Sequence, residues 1–260
     1  MTTEAASKFA RDYEATKALA ESYDGMMNPL SFALFEAFFG LQRAAGVRGN
    51  VIEFGVYRGR SASILLKHLR PDERAMLIDA VDTYPRFDKL REVNSAFAFV
   101  KGKSEDLVDA DAVLNFIASG VRFSHHDASH RYVNVEAEMK LMEPHIGPRG
   151  LMVLDDFGNK NYMQVAAACF SHLAQVSCRL ELLLFASSKA YLCRRDDFAF
   201  YAGFVLNDLL PLLHAVGMNV YLTRTENDKR YRGFSIAKKV QPTDPDRYGL
   251  NIFGDQFYRL

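Results

Sequence analysis

Residues Val51 to Leu66 constrain the chain more than any other stretch. A short apolar run, Val51-Ile52-Glu53-Phe54, follows Gly49-Asn50 and leads into a turn carrying Gly55 and Gly59. An apolar run of helical character, Ala62 to Leu69, comes next. This is the grammar of a buried strand, a glycine loop and a helix start, where unpaired backbone N–H groups can receive a ligand. Glycine suits such a loop because a side chain would obstruct its sharp bend or a ligand lying against it. Glu53, at the strand's end, can accept a hydrogen bond from a cationic or hydroxylated ligand. The spacing Glu53-x-Gly55-x-x-x-Gly59-x-Ser61 is not the dinucleotide fingerprint Gly-x-Gly-x-x-Gly, so NAD is not indicated.

The rest of the chain alternates strand-like and helix-like runs. Residues 1–24 are polar with scattered apolar positions and read as one or two helices. Asn28 is placed to cap, and Pro29 to open, a Phe- and Leu-rich helix ending near Ala45. Strands are expected at 75–81, 97–100, 121–126 and 151–154, with helices at 86–95, 107–118, 133–142 and 161–175. Residues 180–185 and 189–193 read as a late hairpin. A helix over 198–215 and strand-like runs at 219–223 and 233–238 follow. The expected fold is therefore α/β: a doubly wound, mostly parallel sheet with N-terminal helices and a C-terminal α/β extension. Residues 1–48 form a helical segment serving as packing, lid or dimer contact, and residues 49–240 the main domain. The aromatic tail, 241–260, carries Phe253, Phe257 and Tyr258 and should dock on the body or on a second subunit, so a homo-oligomer is expected.

Composition narrows the function. Lys plus Arg equals Asp plus Glu, at 32 each, and the basic residues are dispersed, which disfavours a nucleic-acid partner. The N-terminus lacks the apolar core of a signal peptide, and no apolar run approaches a membrane span, so a cytoplasmic protein without a membrane partner is expected. Cys169, Cys178 and Cys193 form no Cys-x-x-Cys pair and no Cys/His zinc spacing; they read as buried, reduced thiols.

In a doubly wound sheet, ligands bind beyond the carboxyl ends of the strands. Along that edge the sequence places Glu53 with its glycine loop, Asp82, the loop Gly102–Glu105, Asp127, and Asp155-Asp156. Asp82 follows Gly59 by the roughly 20 residues expected of an acid that binds ribose hydroxyls. Asp79 is its rival, although it lies within the strand-like run. Asp127, Asp155 and Asp156 end neighbouring strands, and three like charges in a partly dry cleft are relieved by a divalent cation. All-oxygen ligation points to Mg²⁺ or another hard cation and away from zinc. The alternative is that these acids cap helices and bind backbone.

The first motif, Glu53-x-Gly55-Val56-x-Arg58-Gly59, resembles that of class I S-adenosylmethionine (SAM) methyltransferases, in the form found in macrocin-type sugar O-methyltransferases. The later pattern Asp127-x-x-His130-x-Tyr132, Gly147-Pro148-Arg149-Gly150 and Asp155-Asp156 resembles their later motifs, and the likeness runs from Gly49 to Cys193. It implies SAM and Mg²⁺ as cofactors and a small hydroxylated acceptor, such as a sugar of a natural product. It assigns SAM contacts to Glu53, Gly55, Gly59, Ser61 and Asp82, with Gly102, Ser104 and Glu105 near the adenine. The same likeness assigns the metal to Asp127, Asp155 and Asp156. His130 is the candidate general base. The turn before the fifth strand departs from the usual Gly-Gly form, and the segment after Cys193 matches nothing in the family. Two competing readings are a relative with another reaction, such as hydroxylation, and a non-catalytic SAM-fold partner protein.

Overall fold

A computed structural model describes residues 2–107, 109–224 and 233–248. Its framework is a ten-stranded sheet. In chain order the elements are α1 (Thr3–Glu21), α2 (Pro29–Ala44), β1 (Asn50–Phe54), α3 (Arg60–Lys67), β2 (Ala75–Asp79), α4 (Phe87–Val93) and β3 (Phe97–Lys101). Then come α5 (Asp111–Ile117), β4 (Val121–His126), α6 (Tyr132–Met142), β5 (Ile146–Leu154), α7 (Met163–Leu173), β6 (Leu180–Ala186) and β7 (Lys189–Arg194). The extension holds α8 (Phe198–Phe204), α9 (Leu210–Ala215), β8 (Val220–Arg224), β9 (Phe234–Lys238) and the short β10 (Arg247–Tyr248).

Strand order is β10-β8-β9-β6-β7-β5-β4-β1-β2-β3. From β3 to β5 every pairing is parallel, and β7 then inserts antiparallel between β5 and β6. The order reverses at β1, which sits between β2 and β4, so the chain leaves β1 and β4 on opposite sides of one crevice. That is the switch point where α/β sheets bind ligands. The extension after β7 adds β9, β8 and β10 to the far edge of the same sheet. Residues 198–215, which sequence reads as one helix, carry a π-helical turn at Val205–Leu209 between α8 and α9.

Both faces of the sheet are covered. On one, α2 buries Phe32, Phe35, Phe38 and Phe39 against Phe123 and Tyr191, with Phe35 meeting Phe123 edge-on at 5.1 Å. The N-terminal helices thus belong to the core. Asn28 caps α2 through Ser31 N–H, and Pro29 opens it, as sequence predicts. On the other face, Met139, Met142, Val165, Cys169 and Leu173 of α6 and α7 pack on Ile52, Phe54, Met152 and Leu154. Two expectations need correction. The fifth strand begins at Ile146, not Leu151; a register shift against β4 accommodates Gly147–Gly150, with Arg149 at φ 56. The helical run Arg195–Ala215 is long and apolar enough to cross a membrane, contrary to the sequence reading. Here Phe198, Tyr201, Val205, Leu209 and Leu213 from that run are buried in the sheet's core. Tail residues 249–260, including Phe253, Phe257 and Tyr258, lie outside the described residues.

Candidate active site

A cavity of about 820 Å³ opens at the carboxyl ends of β1, β2, β4 and β5. Its walls are the glycine loop after β1, the ends of β2 and β3, the loops after β4 and β5, and the β6–β7 turn. The α1–α2 loop, Asp24–Asn28, closes one side. That loop is tied to the β6–β7 turn by hydrogen bonds from Ser187 Oγ to Asn28 Oδ1 (2.8 Å) and from Ser31 Oγ to Ser187 Oγ (3.0 Å).

The glycine loop is built as sequence implies, and an aspartate organises it. Asp79 ends β2, and its Oδ2 accepts the N–H groups of Val56 and Tyr57, each at 2.8 Å, while Oδ1 accepts that of Val81 at 2.9 Å. Gly55 sits at φ 86, and a Cβ there would lie 2.1 Å from the Asp127 carbonyl oxygen. Gly59 turns the chain into α3 at φ 92.

Of the expected cofactor residues, Gly55, Ser61, Gly102, Ser104 and Glu105 line the cavity. Ser104 Oγ is buried with no partner among the described residues, a hydroxyl left free to meet a ligand. Glu53, Gly59 and Asp82 are not among the lining residues. Glu53 is fully buried beneath the loop, its Oε1 2.8 Å from His125 Nδ1, and burial pushes its carboxyl well above the usual range. Gly59 packs against Leu90. Asp82 pairs at 3.1 Å with Lys101 and lies partly exposed. Asp79, the rival, lines the cavity.

The acidic cluster assembles as expected at adjacent strand ends. Asp127 follows β4 and Asp155 follows β5; their N–H groups continue the ladder to Phe54 and His126 carbonyls at 2.7 and 2.9 Å. Asp127 then belongs to two triangles whose ligand atoms lie within 4.8 Å of one another, one with His125 and Asp155, the other with His130 and Asp156. His130 Nε2 is 2.9 Å from Asp156 Oδ2 and 3.6 Å from Asp127 Oδ1, and its ring stacks on Tyr162 at 4.1 Å. Asp156 holds a left-handed backbone (φ 54), and its neighbour Asp155 bonds Lys189.

Lys189 opens β7, is 2 % exposed, and donates to Asp155 Oδ2. Burial alone would raise the Asp155 carboxyl, but the Lys189 ammonium beside it holds it below its ordinary value. Asp127 is raised to about 6, chiefly by burial, with the Asp155 charge adding and His130 opposing. His130 is raised by its bond to Asp127 and by the neighbouring carboxylates. Burial, helped by Lys189, pushes His125 down to about 3, so it stays neutral. Sequence reasoning missed Lys189 and His125. Lys189 follows a two-residue turn of Ser187 and Ser188, both left-handed, which lacks the Asn-Gly signature that marks such hairpins.

The residues present fit both groups that the family resemblance implies. Asp127 and Asp156 offer oxygen donors to the cavity with the His130 imidazole beside them, and the Ser104 hydroxyl and the Asp79 carboxylate supply polar groups along its other wall.

Comparison with known proteins agrees with this architecture. Residues 52–157 match the family model described as "Methyltransferase domain". The chain is similar to the solved O-methyltransferase NovP at 15% identity and TM-score 0.51, covering 65% of this chain and 83% of that one. It is similar to MycE, the methyltransferase of the mycinamycin biosynthetic pathway solved with Mg, SAH and mycinamycin VI, at 15% identity and TM-score 0.51. That match covers 70% of this chain and 54% of MycE. The methyltransferase PaMTH1 of Podospora anserina, solved with SAH, is similar at 12% identity and TM-score 0.50, over 72% and 88% of the two chains. No protein of curated function matches. The chain carries the Rossmann-like methyltransferase fold, and its central segment, residues 52–157, matches a methyltransferase domain.

Proposed function

We propose that this protein is a SAM-dependent, Mg²⁺-assisted O-methyltransferase acting on a hydroxyl of a small molecule, a sugar or other natural product in the manner of macrocin-type enzymes. The observation that carries the reading is the convergence, on one cavity, of the Asp79-organised glycine loop with the Asp127–His130–Asp156 triangle. The two are neighbours because β1 lies between β2 and β4.

When bound, SAM supplies an electrophilic methyl group, and a divalent cation would lower the acceptor hydroxyl's pKa and orient it. Gly55, Ser61, Gly102, Ser104 and Glu105 form the cofactor's wall, with Asp79 the carboxylate nearest the loop and best placed to receive ribose hydroxyls. Asp127 and Asp156 would hold the cation, and His130 stands beside them. Asp155 keeps Lys189 beside them, an internal cation that offsets part of the cluster's charge. His130 takes the acceptor's proton at Nε2 in its neutral form, and Tyr162 fixes the ring by stacking.

Incubation of the protein with methyl-labelled SAM, Mg²⁺ and a panel of hydroxylated acceptors tests the reading. Labelled methyl ether is the expected product. SAM binding without transfer to any hydroxyl, but with transfer to an amine or carbon, would overturn the O-methyl assignment.

A further inference from the structure

At the opposite edge of the sheet from the cavity, where β5 and β6 begin, three side chains from separate segments converge. Glu143 follows α6, His172 lies in the last turn of α7, and Cys178 precedes β6. Their ligand atoms all lie within 4.8 Å of one another, and all three are withdrawn from solvent: His172 is 2 % and Cys178 3 % exposed. We propose that Glu143, His172 and Cys178 form a binding site for a borderline divalent cation of the zinc class, separate from the acidic cluster.

The donor set sets the metal class. A thiolate and an imidazole with one carboxylate match Zn²⁺ or Co²⁺, whereas Mg²⁺ takes oxygen donors. Ligands about 2.0–2.3 Å from one tetrahedral zinc ion stand about 3.3–3.8 Å apart, so donors that all lie within 4.8 Å of one another reach that geometry by small side-chain movements. Glu143 is already oriented: its Oε1 accepts the Arg179 N–H at 2.5 Å, and its Oε2 lies 2.5 Å from His172 Nε2. The Arg179 N–H orients the carboxylate from outside the donor set, whereas the His172 contact joins two of the proposed ligands, and a cation would take the place of the proton between them. The Cys178 thiol makes a long contact, 3.9 Å, to the Leu180 carbonyl and a hydrogen bond with the His172 side chain.

Sequence spacing argues against zinc because no two of these ligands form a local pair. Packing of α6 on α7 and the start of β6 brings them together instead. A cation there joins the α6–β5 connection to the α7–β6 connection, which makes the site structural: it lies at the far edge from the cavity and holds two crossovers in place.

The test is titration of the reduced, metal-free full-length protein with Co²⁺, followed by near-ultraviolet absorbance. One equivalent should give a thiolate-to-cobalt charge-transfer band, and Zn²⁺ should bleach it. Cys178→Ser and Glu143→Gln should abolish or weaken the band, while Asp156→Asn, in the acidic cluster, and Cys193→Ser should leave it. No band in the wild-type protein overturns the proposal, whatever the variants do. A band that survives Cys178→Ser, with circular dichroism showing the variant folded, overturns it equally. Because the signal needs a thiolate, it is independent of methyl transfer and of Mg²⁺.

Discussion

The Asp127 carbonyl oxygen lies 2.1 Å from where a Cβ on Gly55 would stand. The glycine that opens the loop after β1 is therefore also what lets the end of β4 approach it. A side chain at Gly55 meets protein backbone before it meets any ligand. Gly55→Val is expected to strain the left-handed backbone, at roughly 1–2 kcal/mol, and to push β4's end outward as well. Thermal unfolding should show a clear loss of stability, with SAM affinity and metal affinity lost together. Retained stability with only SAM binding lost would show that the close approach is not what requires glycine.

Asp79 and Asp82 separate by their partners. Asp79→Ala strands the N–H groups of Val56, Tyr57 and Val81, each bonded to a charged acceptor worth about 1.5–3 kcal/mol. SAM affinity measured by calorimetry should fall about tenfold or more. Asp82→Ala removes a partly exposed pair with Lys101 and should leave affinity near wild type. The reverse result would return the ribose contact to Asp82.

The two triangles around Asp127 make the metal site testable residue by residue. Mn²⁺ binding followed by electron paramagnetic resonance should be lost in Asp156→Asn and largely kept in Asp155→Asn, whose carboxylate is already engaged by Lys189. Equal losses would place Asp155 in the ligand set.

Protons compete for that site. Asp127 is raised to about 6, so Mn²⁺ affinity should rise with pH through that value as the carboxylate ionises. The same shift has an opposite effect on metal-free stability. A carboxyl raised above its unfolded value of 3.8 binds its proton more tightly when folded. Its contribution is then present at low pH and is lost as pH climbs from about 4 to about 6. Denaturant unfolding at several pH values, with and without Mn²⁺, checks both signs; metal affinity independent of pH from about 5 to about 7 would remove Asp127 from the site.

Much of this was legible in the sequence because the signal was local. Gly55 and Gly59 between an apolar run and a helix, and the aspartates after β4 and β5, carry their meaning in residue type and spacing. Asp79 was placed behind Asp82 because strand ends are read less reliably than strand existence: the apolar Ala80-Val81 prolongs the run past the end of β2. Lys189, His125 and the Glu143–His172–Cys178 cluster were invisible for another reason. Each acquires its neighbours through pairing or packing of segments far apart in the chain, as when β7 sets Ala190 opposite Leu154 and so carries Lys189 to Asp155. Glu53 shows the limit of position alone, since a strand-end acid can point into the dry interior toward His125.

The amino ends of the strands hold a buried charge network that should set stability without touching the site. Arg122 donates to both Glu73 oxygens, at 2.8 and 2.7 Å, to Gln42 and to the His68 carbonyl, and both charged side chains are almost fully withdrawn from water. Glu73→Ala leaves a buried guanidinium without its carboxylate and should cost about 3–5 kcal/mol in denaturant unfolding. SAM affinity of the folded fraction should be unchanged, and a cost below about 1 kcal/mol would mean water replaces the lost partner.

If the cavity at the β1 crevice is the SAM site, calorimetry reads it directly. Ala80 lines that cavity and is exposed, so Ala80→Trp fills the space without entering the core. The wild-type protein should bind SAM and its demethylated product at one site, and Ala80→Trp should bind neither while unfolding at the wild-type temperature. No heat from either ligand with the wild-type protein, or equal affinity in Ala80→Trp, would contradict the account.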